Sequence, residues 1–194
     1  MKYQIQYDQN ENLSNLLGLT SSAEIALMEF EGFLKAEIFL TESLKASTPI
    51  NVKYICQIHR LAFENLYDFA GKYRTVNLSK AGFVFASAQF LQQSMLKFEE
   101  DFLKEIPISE NIIKLAAKAH AELLFIHPFR EGNGRTSRIF TNLYCKKYGY
   151  QSPKWELITE QNLMEIYIRS VQQAGLQNYE PMEQLIEQIW GGSL

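Results

Sequence analysis

The stretch ENIIKLAAKAHAELLFI, residues 110–126, restricts the fold of this chain more than any other. It keeps a helical period and is strongly apolar, so a helix formed here must be surrounded by other elements. Six further stretches show the same period, and they begin near residues 20, 47, 87, 135, 159 and 179. The sequence therefore predicts an all-α fold with this helix at its centre.

One segment interrupts the helical pattern. DFAGKYRTVNLSKAGFVFASAQ, residues 68–89, contains Gly71, Gly82 and the alternation Phe83-Val84-Phe85. Alternation of this kind beside glycines predicts a small β-hairpin or an extended flap. Near the start of the chain, Ser21 and Glu24 have the spacing of a capping box for a long first helix. We divide the chain into an arm and long helix over residues 1–50 and a core domain over residues 51–194.

The composition sets limits on the class of protein. The chain has 194 residues, of which 46% are hydrophobic, and this suits one soluble domain. Its net charge of −3 disfavours a sequence-independent nucleic-acid binder, although it leaves room for a local basic pocket. No apolar run approaches the roughly 20 residues that a membrane span needs, and the first residues do not resemble a signal peptide. Cys56 and Cys145 fit free thiols, which are usual in the cytosol, so we expect a cytoplasmic protein. From the charge and the apolar runs, we expect neither a nucleic-acid nor a membrane partner.

The stretch HPFREGNGRTSR, residues 127–138, begins where the central helix pattern stops and ends where the next one starts. Gly132-Asn133-Gly134 precedes that next helix, where unpaired N–H groups form a nest for an anion such as phosphate. Arg135 and Arg138 lie three residues apart and share a helix face. Two guanidinium groups beside a nest indicate more than one phosphate, as in a nucleoside di- or triphosphate.

The remaining residues of this stretch complete a reactive site. Glu131 would suit Mg²⁺ bridging phosphate oxygens. His127 is placed to act as a general base for an incoming hydroxyl, or as a nucleophile. Pro128 helps to end the preceding helix, and Phe129 anchors the loop in the core.

These residues resemble the Fic (Fic/Doc, Fido) family signature H-x-F-x-[D/E]-G-N-G-R-x-x-R and match it at every defined position. The segment YDFAGKYRTVNLSKAGFVFA is similar to the segment that leads into the flap of that family, and the resemblance covers residues 51 to 190 approximately. It implies a Fic-type helical bundle with a small β-hairpin flap. It also implies a protein adenylyltransferase, which transfers AMP from ATP to a Tyr, Thr or Ser hydroxyl of a target protein.

The resemblance also implies a role for each residue of the motif. His127 would take the proton from the target hydroxyl, Glu131 would bind Mg²⁺ on the α- and β-phosphates, and Arg138 would hold the γ-phosphate. The other phosphate contacts would come from Gly132, Asn133, Gly134 and Arg135. The flap would pair with the backbone of the target by strand addition, and it comprises Lys80, Ala81, Gly82, Phe83, Val84 and Phe85.

Many members of the family carry, or are supplied with, an inhibitory helix bearing [S/T]-x-x-x-E-[G/N], whose glutamate pairs with the second arginine. Glu31-Gly32 in the first helix is the best match here, although Leu27 stands where Ser or Thr belongs. Inhibition requires Glu31 to reach Arg138, and a solvated helix glutamate is an equal alternative. A separate small antitoxin protein could supply the inhibitory helix instead, and the tyrosines of the chain offer sites for self-modification.

Other residues and activities stay open at this point. His59 and His120 fit packed or capping histidines, and Arg74, Asn77 and Lys80 fit either nucleotide and target binding or simple exposure. A related enzyme of this fold could transfer phosphate, as Doc toxins do, or UMP. A catalytically silent peptide-binding module is the alternative from another class.

Overall fold

The apolar stretch at the centre of the sequence is also central in space. In the computed structural model, which describes residues 12–80, 82–104, 111–159 and 163–191, it forms one of seven α-helices. The described residues also form one two-stranded hairpin, so the predicted all-α fold with a small hairpin is confirmed. The helices are α1 (Ser22–Ser43), α2 (Val52–Phe63), α3 (Leu91–Phe98), α4 (Ile112–Ile126), α5 (Asn133–Lys147), α6 (Leu163–Ala174) and α7 (Glu180–Gln188).

Helix α4 lies between two hydrophobic clusters. One of its faces, with Leu123 and Ile126, joins a cluster built mainly from α1, α2, α3 and α5. Its opposite face, with Ala121 and Leu124, joins a second cluster built from α6 and α7. Because α4 packs against both clusters, its C-terminal end lies between the two halves of the molecule. That end carries His127.

Helix α1 belongs to the same core as the helices that follow it. Its buried side chains include Phe33 and Leu40, and it packs closely on α2. At Gly32 a Cβ atom would lie 2.0 Å from the carbonyl oxygen of Ala62, so only glycine allows this approach. Ser21 caps the helix, its hydroxyl accepting a hydrogen bond from the Glu24 N–H at 3.4 Å.

The predicted flap is an antiparallel hairpin of β1 (Ser79–Lys80) and β2 (Phe83–Val84). Gly82 has φ +81° in its turn, and Ala81 lies outside the described residues. Val84 points outward and is 64% exposed, whereas Phe85 is buried. The hairpin thus turns one face toward the end of α4 and leaves the other open.

Some sequence expectations differ from the structure in detail. The stretch that begins near residue 87 keeps a helical period in the sequence up to Pro107, which predicts one continuous helix. It begins instead with a 3₁₀ turn, Ala88–Phe90, and passes after α3 into a π-helical segment, Glu99–Leu103. Pro107 and residues 1–11 lie outside the described residues. In the described part of the chain, no helix combines the length and the apolar character needed to span a membrane.

Candidate active site

His127 is held at the C-terminus of α4 by an uncommon backbone conformation. It has φ 53° and ψ 58°, the left-handed region, and its N–H donates to the Leu123 carbonyl at 3.0 Å. This conformation ends the helix and turns the imidazole toward the hairpin. The ring stacks on Phe85, with centroids 3.8 Å apart.

The hydrogen bonding of His127 determines which ring nitrogen is basic. Nδ1 lies 2.9 Å from the Leu124 carbonyl oxygen, and a carbonyl can only accept, so Nδ1 carries the proton. Nε2 is therefore the basic nitrogen. Burial, with smaller contributions from the positive charges of Arg74 and Lys80, lowers the pKa of His127 from 6.5 to about 3. The imidazole is consequently neutral at pH 7, as a general base must be.

The loop after His127 is closed by Asn133. Its side-chain oxygen accepts from the Phe129 N–H at 2.8 Å, and its NH₂ donates to the Phe129 carbonyl at 2.7 Å. Phe129 is fully buried and stacks on His59 at 4.0 Å, which confirms its predicted role as an anchor. Both ends of the Asn133 amide are occupied, so the side chain shapes the loop and leaves the backbone N–H for a ligand.

His59 supports the same loop from α2. Its Nε2 donates to the Glu131 carbonyl at 3.1 Å, and its Nδ1 accepts from the Gly71 N–H at 2.8 Å. Burial lowers its pKa to about 4, so the neutral form persists at pH 7. The prediction that His59 and His120 are packed or capping histidines is confirmed, since both are fully buried.

The N-terminus of α5 lies where the sequence predicts a nest for an anion. Gly132 has φ +73°, and a Cβ there would lie 2.7 Å from the ring of Phe63. The first helical hydrogen bond runs from the Thr136 N–H to the Gly132 carbonyl, so the N–H groups of residues 133, 134 and 135 have no intrahelical acceptor. At Gly134 nothing lies within 4 Å of an added Cβ. An anion can therefore approach this end of the helix closely.

Arg138 lies on the cleft side of α5. Its Cζ is 5.7 Å from the ring centroid of Tyr167 and 5.9 Å from that of Trp155. Its Nε is buried and has no hydrogen-bond acceptor among the described residues. A buried guanidinium N–H of this kind suits a phosphate oxygen as its acceptor.

A cleft of about 440 Å³ lies between the hairpin, His127 and the N-terminus of α5. His127, Gly134 and Arg138 open into it, and an apolar wall from α6 faces them. Its lining comprises Lys80, Phe83, Phe85, Leu124, His127, Gly134, Arg138, Met164, Tyr167, Ile168, Val171 and Gln172. The structure therefore brings together residues from both ends of the motif and the flap.

Arg135 is directed away from this cleft. Its Nη2 lies 2.6 Å from Glu29 Oε2 on α1, and its guanidinium stacks on Phe33 at 4.7 Å. Glu29 also accepts from the Tyr67 hydroxyl at 2.7 Å. Helix α1 thus fixes the Arg135 side chain, and only the backbone N–H of Arg135 belongs to the nest. Glu29 gave no signal in the sequence, because it lies 106 positions before its partner.

Glu31, the residue suggested for inhibition, lies on the surface of α1. It pairs with Lys35 at 3.1 Å and is 42% exposed. No ion pair joins Glu31 to Arg138 among the described residues. Gly32 has its own packing reason in the close approach of α1 to α2. The contact required for inhibition is thus not formed here, and inhibition by Glu31 stays a prediction.

The sequence left Arg74 as either exposed or ligand-binding, but the structure shows that its side chain is buried. It is only 4% exposed, and its guanidinium donates to backbone carbonyls of both the hairpin region and the end of α4. These carbonyls belong to Val76, Ala86, Ile126 and His127, with distances of 2.6 Å to Val76 and 2.7 Å to His127. The exposure interpretation was wrong because the hairpin folds over this side chain. Arg74 thus connects the hairpin region to the backbone of His127.

The described residues contain no group of three acidic, histidine or cysteine side chains arranged for a metal. Glu131 offers one carboxylate, whose Oε1 accepts from the Gly132 N–H at 2.8 Å and lies 3.6 Å from Arg135 Nη2. Mg²⁺ is commonly held by one or two carboxylates together with substrate phosphates and water. This single carboxylate beside a phosphate nest fits that pattern.

Comparisons with known proteins agree with this geometry. The sequence model of the Fic/DOC family matches residues 49–145, half of the chain. A protein adenylyltransferase Fic from Nematostella vectensis is 31% identical over 108 residues, which are 55% of this chain and 25% of the relative. A protein adenylyltransferase from Bartonella henselae is 28% identical over 155 residues, 70% of this chain and 28% of the relative. The chain thus spans little more than a quarter of these relatives.

A solved structure shows the same fold. The BepC protein of Bartonella tribocorum, a VirB-translocated effector with bound AMPPNP, superimposes with a TM-score of 0.75 at 20% identity. The match covers 97% of this chain and 96% of that one. Helix α1 and the C-terminal helices are therefore included in the shared fold.

Proposed function

Because the chain belongs to the Fic/DOC family, we propose that it is a protein adenylyltransferase, which transfers AMP from ATP to a hydroxyl side chain of a target protein. One observation carries the proposal. The basic nitrogen of His127, the open N-terminus of α5 at Gly134 and the Arg138 guanidinium belong to one cleft beside the hairpin. A hydroxyl, a base and a triphosphate can meet there. The relatives named adenylyltransferase and the AMPPNP-bound structure support ATP as the nucleotide.

The reaction follows from the arrangement of the groups. The hydroxyl oxygen of the target attacks the α-phosphorus of ATP, while its proton passes to Nε2 of His127. The bond from the α-phosphorus to the bridging oxygen breaks, and pyrophosphate leaves. The Leu124 carbonyl holds the imidazole through Nδ1 and stabilises the positive charge that it acquires. The N–H groups of residues 133–135 stabilise charge on the transferred phosphate.

Arg138 and Glu131 serve the rest of the triphosphate. The buried Nε–H of Arg138 would donate to an oxygen of the γ-phosphate. Glu131 would hold Mg²⁺, which when bound neutralises charge on the α- and β-phosphates. Gly132 and Asn133 shape the nest, the first by its left-handed backbone and the second by closing the loop.

The flap would bind the target protein. Residues 79–84 form only two strands, so a backbone edge is available for an added strand from the target. Val84 is exposed on the outer face, whereas Phe83 and Phe85 line the cleft. Backbone pairing would place a Tyr, Thr or Ser hydroxyl of the target in line with His127. Self-modification would use the same geometry on a tyrosine of a second molecule.

Control of the activity is a further part of the proposal. Residues 51–194 would form the transferase core, and residues 1–50 would contribute the helix that holds Arg135. A small antitoxin could supply an inhibitory glutamate to Arg138, which has no acidic partner among the described residues. Glu31→Gly tests the internal alternative. Greater self-modification would support inhibition by Glu31, and an unchanged level would make it a surface residue.

The experiment that tests the function uses ATP labelled at either the α- or the γ-phosphate, incubated with the protein and a cell lysate. We expect transfer of the α label to a protein band, and no transfer with His127→Ala although that variant still binds ATP. Transfer of the γ label would indicate a phosphate-transferring, Doc-like enzyme. Nucleotide binding without any transfer, even with Glu31→Gly, would indicate a silent binding module.

A further inference from the structure

Beside the cleft, a chain of hydrogen bonds links three helices next to Arg138. His120 is fully buried in α4, and its Nε2 lies 2.9 Å from the Tyr167 hydroxyl on α6. On its other side, Nδ1 lies 2.8 Å from Thr141 Oγ1 and 3.3 Å from the Ser137 carbonyl oxygen on α5. Three helices therefore meet at one imidazole.

The Thr141 hydroxyl indicates which atom donates in each of these hydrogen bonds. The Thr141 hydroxyl donates its hydrogen to the Ser137 carbonyl at 2.8 Å, so its oxygen can only accept from His120. Nδ1 of His120 accordingly carries the proton, since both of its neighbours are acceptors. Nε2 is then bare and accepts the hydrogen of the Tyr167 hydroxyl. The lone pairs of that hydroxyl remain for a donor.

The guanidinium of Arg138 lies beside the Tyr167 side chain, 5.7 Å from the ring centroid. Its charge and hydrogen bonding oppose the rise in the Tyr167 pKa that burial causes. On the other side Trp155 stacks on His120 at 4.7 Å and faces the same guanidinium at 5.9 Å. Burial lowers the pKa of His120 to about 3, with Arg138 contributing, so the neutral tautomer is retained at pH 7.

The structure assigns Tyr167 and His120 as positioning residues that orient the Arg138 guanidinium toward the nucleotide in the cleft. None of these hydrogen-bonded residues is itself a reacting group. Their role is to hold the Tyr167 ring against one side of the guanidinium, so that its N–H groups are free to meet phosphate in the cleft. The assignment rests on the proposed function, because Arg138 is given the γ-phosphate there.

The test compares two nucleotides that differ in the γ-phosphate. Affinities for AMPPNP and ADP are measured by calorimetry with Mg²⁺ for the wild type and for Tyr167→Phe, which deletes one oxygen atom and keeps the ring. We expect AMPPNP to bind about fivefold more weakly to the variant, because the Tyr167 ring loses the hydrogen bond to His120 that holds it against Arg138. ADP should bind less than about twofold more weakly. Equal losses for both nucleotides, or no loss, would overturn the assignment.

Two controls separate positioning from a general effect on the fold. Tyr179→Phe removes a hydroxyl that donates to Glu122 at 2.8 Å outside the cleft, and it should change neither affinity. In an Arg138→Ala background, Tyr167→Phe should cause no further loss of AMPPNP affinity, because the group that it positions is gone. A further loss there would show that Tyr167 acts independently of Arg138, and the assignment would then be wrong.

A measurement without nucleotide keeps the assignment separate from the proposed function. In the ¹⁵N spectrum of labelled histidine at pH 7.5, His120 should show a protonated Nδ1 and a bare Nε2, and Tyr167→Phe should shift the Nε2 signal. The opposite tautomer would overturn the chain of bonds even if AMP transfer is found. Failure of α-label transfer by the wild type would instead count against the proposed function.

Discussion

Three buried histidines make the stability of this protein depend steeply on pH. His59, His120 and His127 are all neutral in the folded state, where burial lowers their pKa from 6.5 to about 4, about 3 and about 3. The unfolded chain binds protons at all three as the pH falls through 6.5, and the folded chain does not. Their contribution to stability is therefore complete above this pH and is lost progressively below it.

The size of the effect follows from these values. Each pH unit below 6.5 costs about 1.4 kcal/mol per histidine while the folded form remains unprotonated. At pH 5 the loss is about 2 kcal/mol for each residue and about 6 kcal/mol for the three together. The total free energy of unfolding of a domain is about 5–15 kcal/mol, so folding should become marginal near pH 5.

Urea unfolding followed by far-ultraviolet circular dichroism, at several pH values between 7.5 and 5, measures this loss. Between pH 6 and 5 we expect a slope equivalent to nearly three protons, or about 4 kcal/mol per pH unit. His127→Ala removes one titrating group next to the open cleft and should reduce the slope by about one third. A total loss under about 2 kcal/mol by pH 5, or an unchanged slope in the variant, would refute the reasoning.

Three further predictions concern packing and hydrogen bonds. Gly32→Ala should lower the free energy of unfolding by about 1–3 kcal/mol despite the better helix propensity of alanine, because its Cβ would lie 2.0 Å from a carbonyl oxygen. Gly134→Ala meets nothing within 4 Å, so unfolding curves of the two variants should differ clearly. Glu29→Gln should cost about 1–2 kcal/mol in thermal unfolding and slow AMP transfer, since it weakens the hold on Arg135; an unchanged rate would make this contact purely structural. Arg74→Lys should cost about 2–4 kcal/mol by denaturant unfolding, because one ammonium cannot serve all the carbonyls that Arg74 satisfies; a cost below about 1 kcal/mol would contradict this.

Much of the site could be predicted from sequence because its residues are consecutive. The motif from His127 to Arg138 follows one helix and begins the next, so periodicity and glycines alone indicated a base, a carboxylate and a nest. The alternation of Phe83-Val84-Phe85 beside glycines indicated the hairpin, and the family resemblance then gave the reaction. The structure confirmed the helical fold and the position of the hairpin.

The parts that sequence reasoning missed depend on contacts between distant elements. Glu29 and Glu31 are two residues apart, about 200° around a helix, so only packing decides which one meets the motif. The neighbouring Gly32 drew attention to Glu31, but its small size serves the contact with α2. Tyr167 is one of the buried residues of an ordinary amphipathic helix, so its sequence position did not set it apart from other core residues. Arg74 looked like any basic residue in a loop, because its burial requires the folded hairpin above it.

The attachment of Arg74 to both the hairpin and His127 has a consequence for how such an enzyme can change its targets. In the proposed function, the hairpin that would bind the target and the histidine that would deprotonate it are held together, since one guanidinium is bonded to both. A new target preference can therefore arise only through side chains that leave these carbonyls in place, such as outward-facing Val84. Insertions or deletions between Val76 and Ala86 would instead shift the base itself. Under the proposed function, changes in target preference would thus be confined to the outer face of the hairpin.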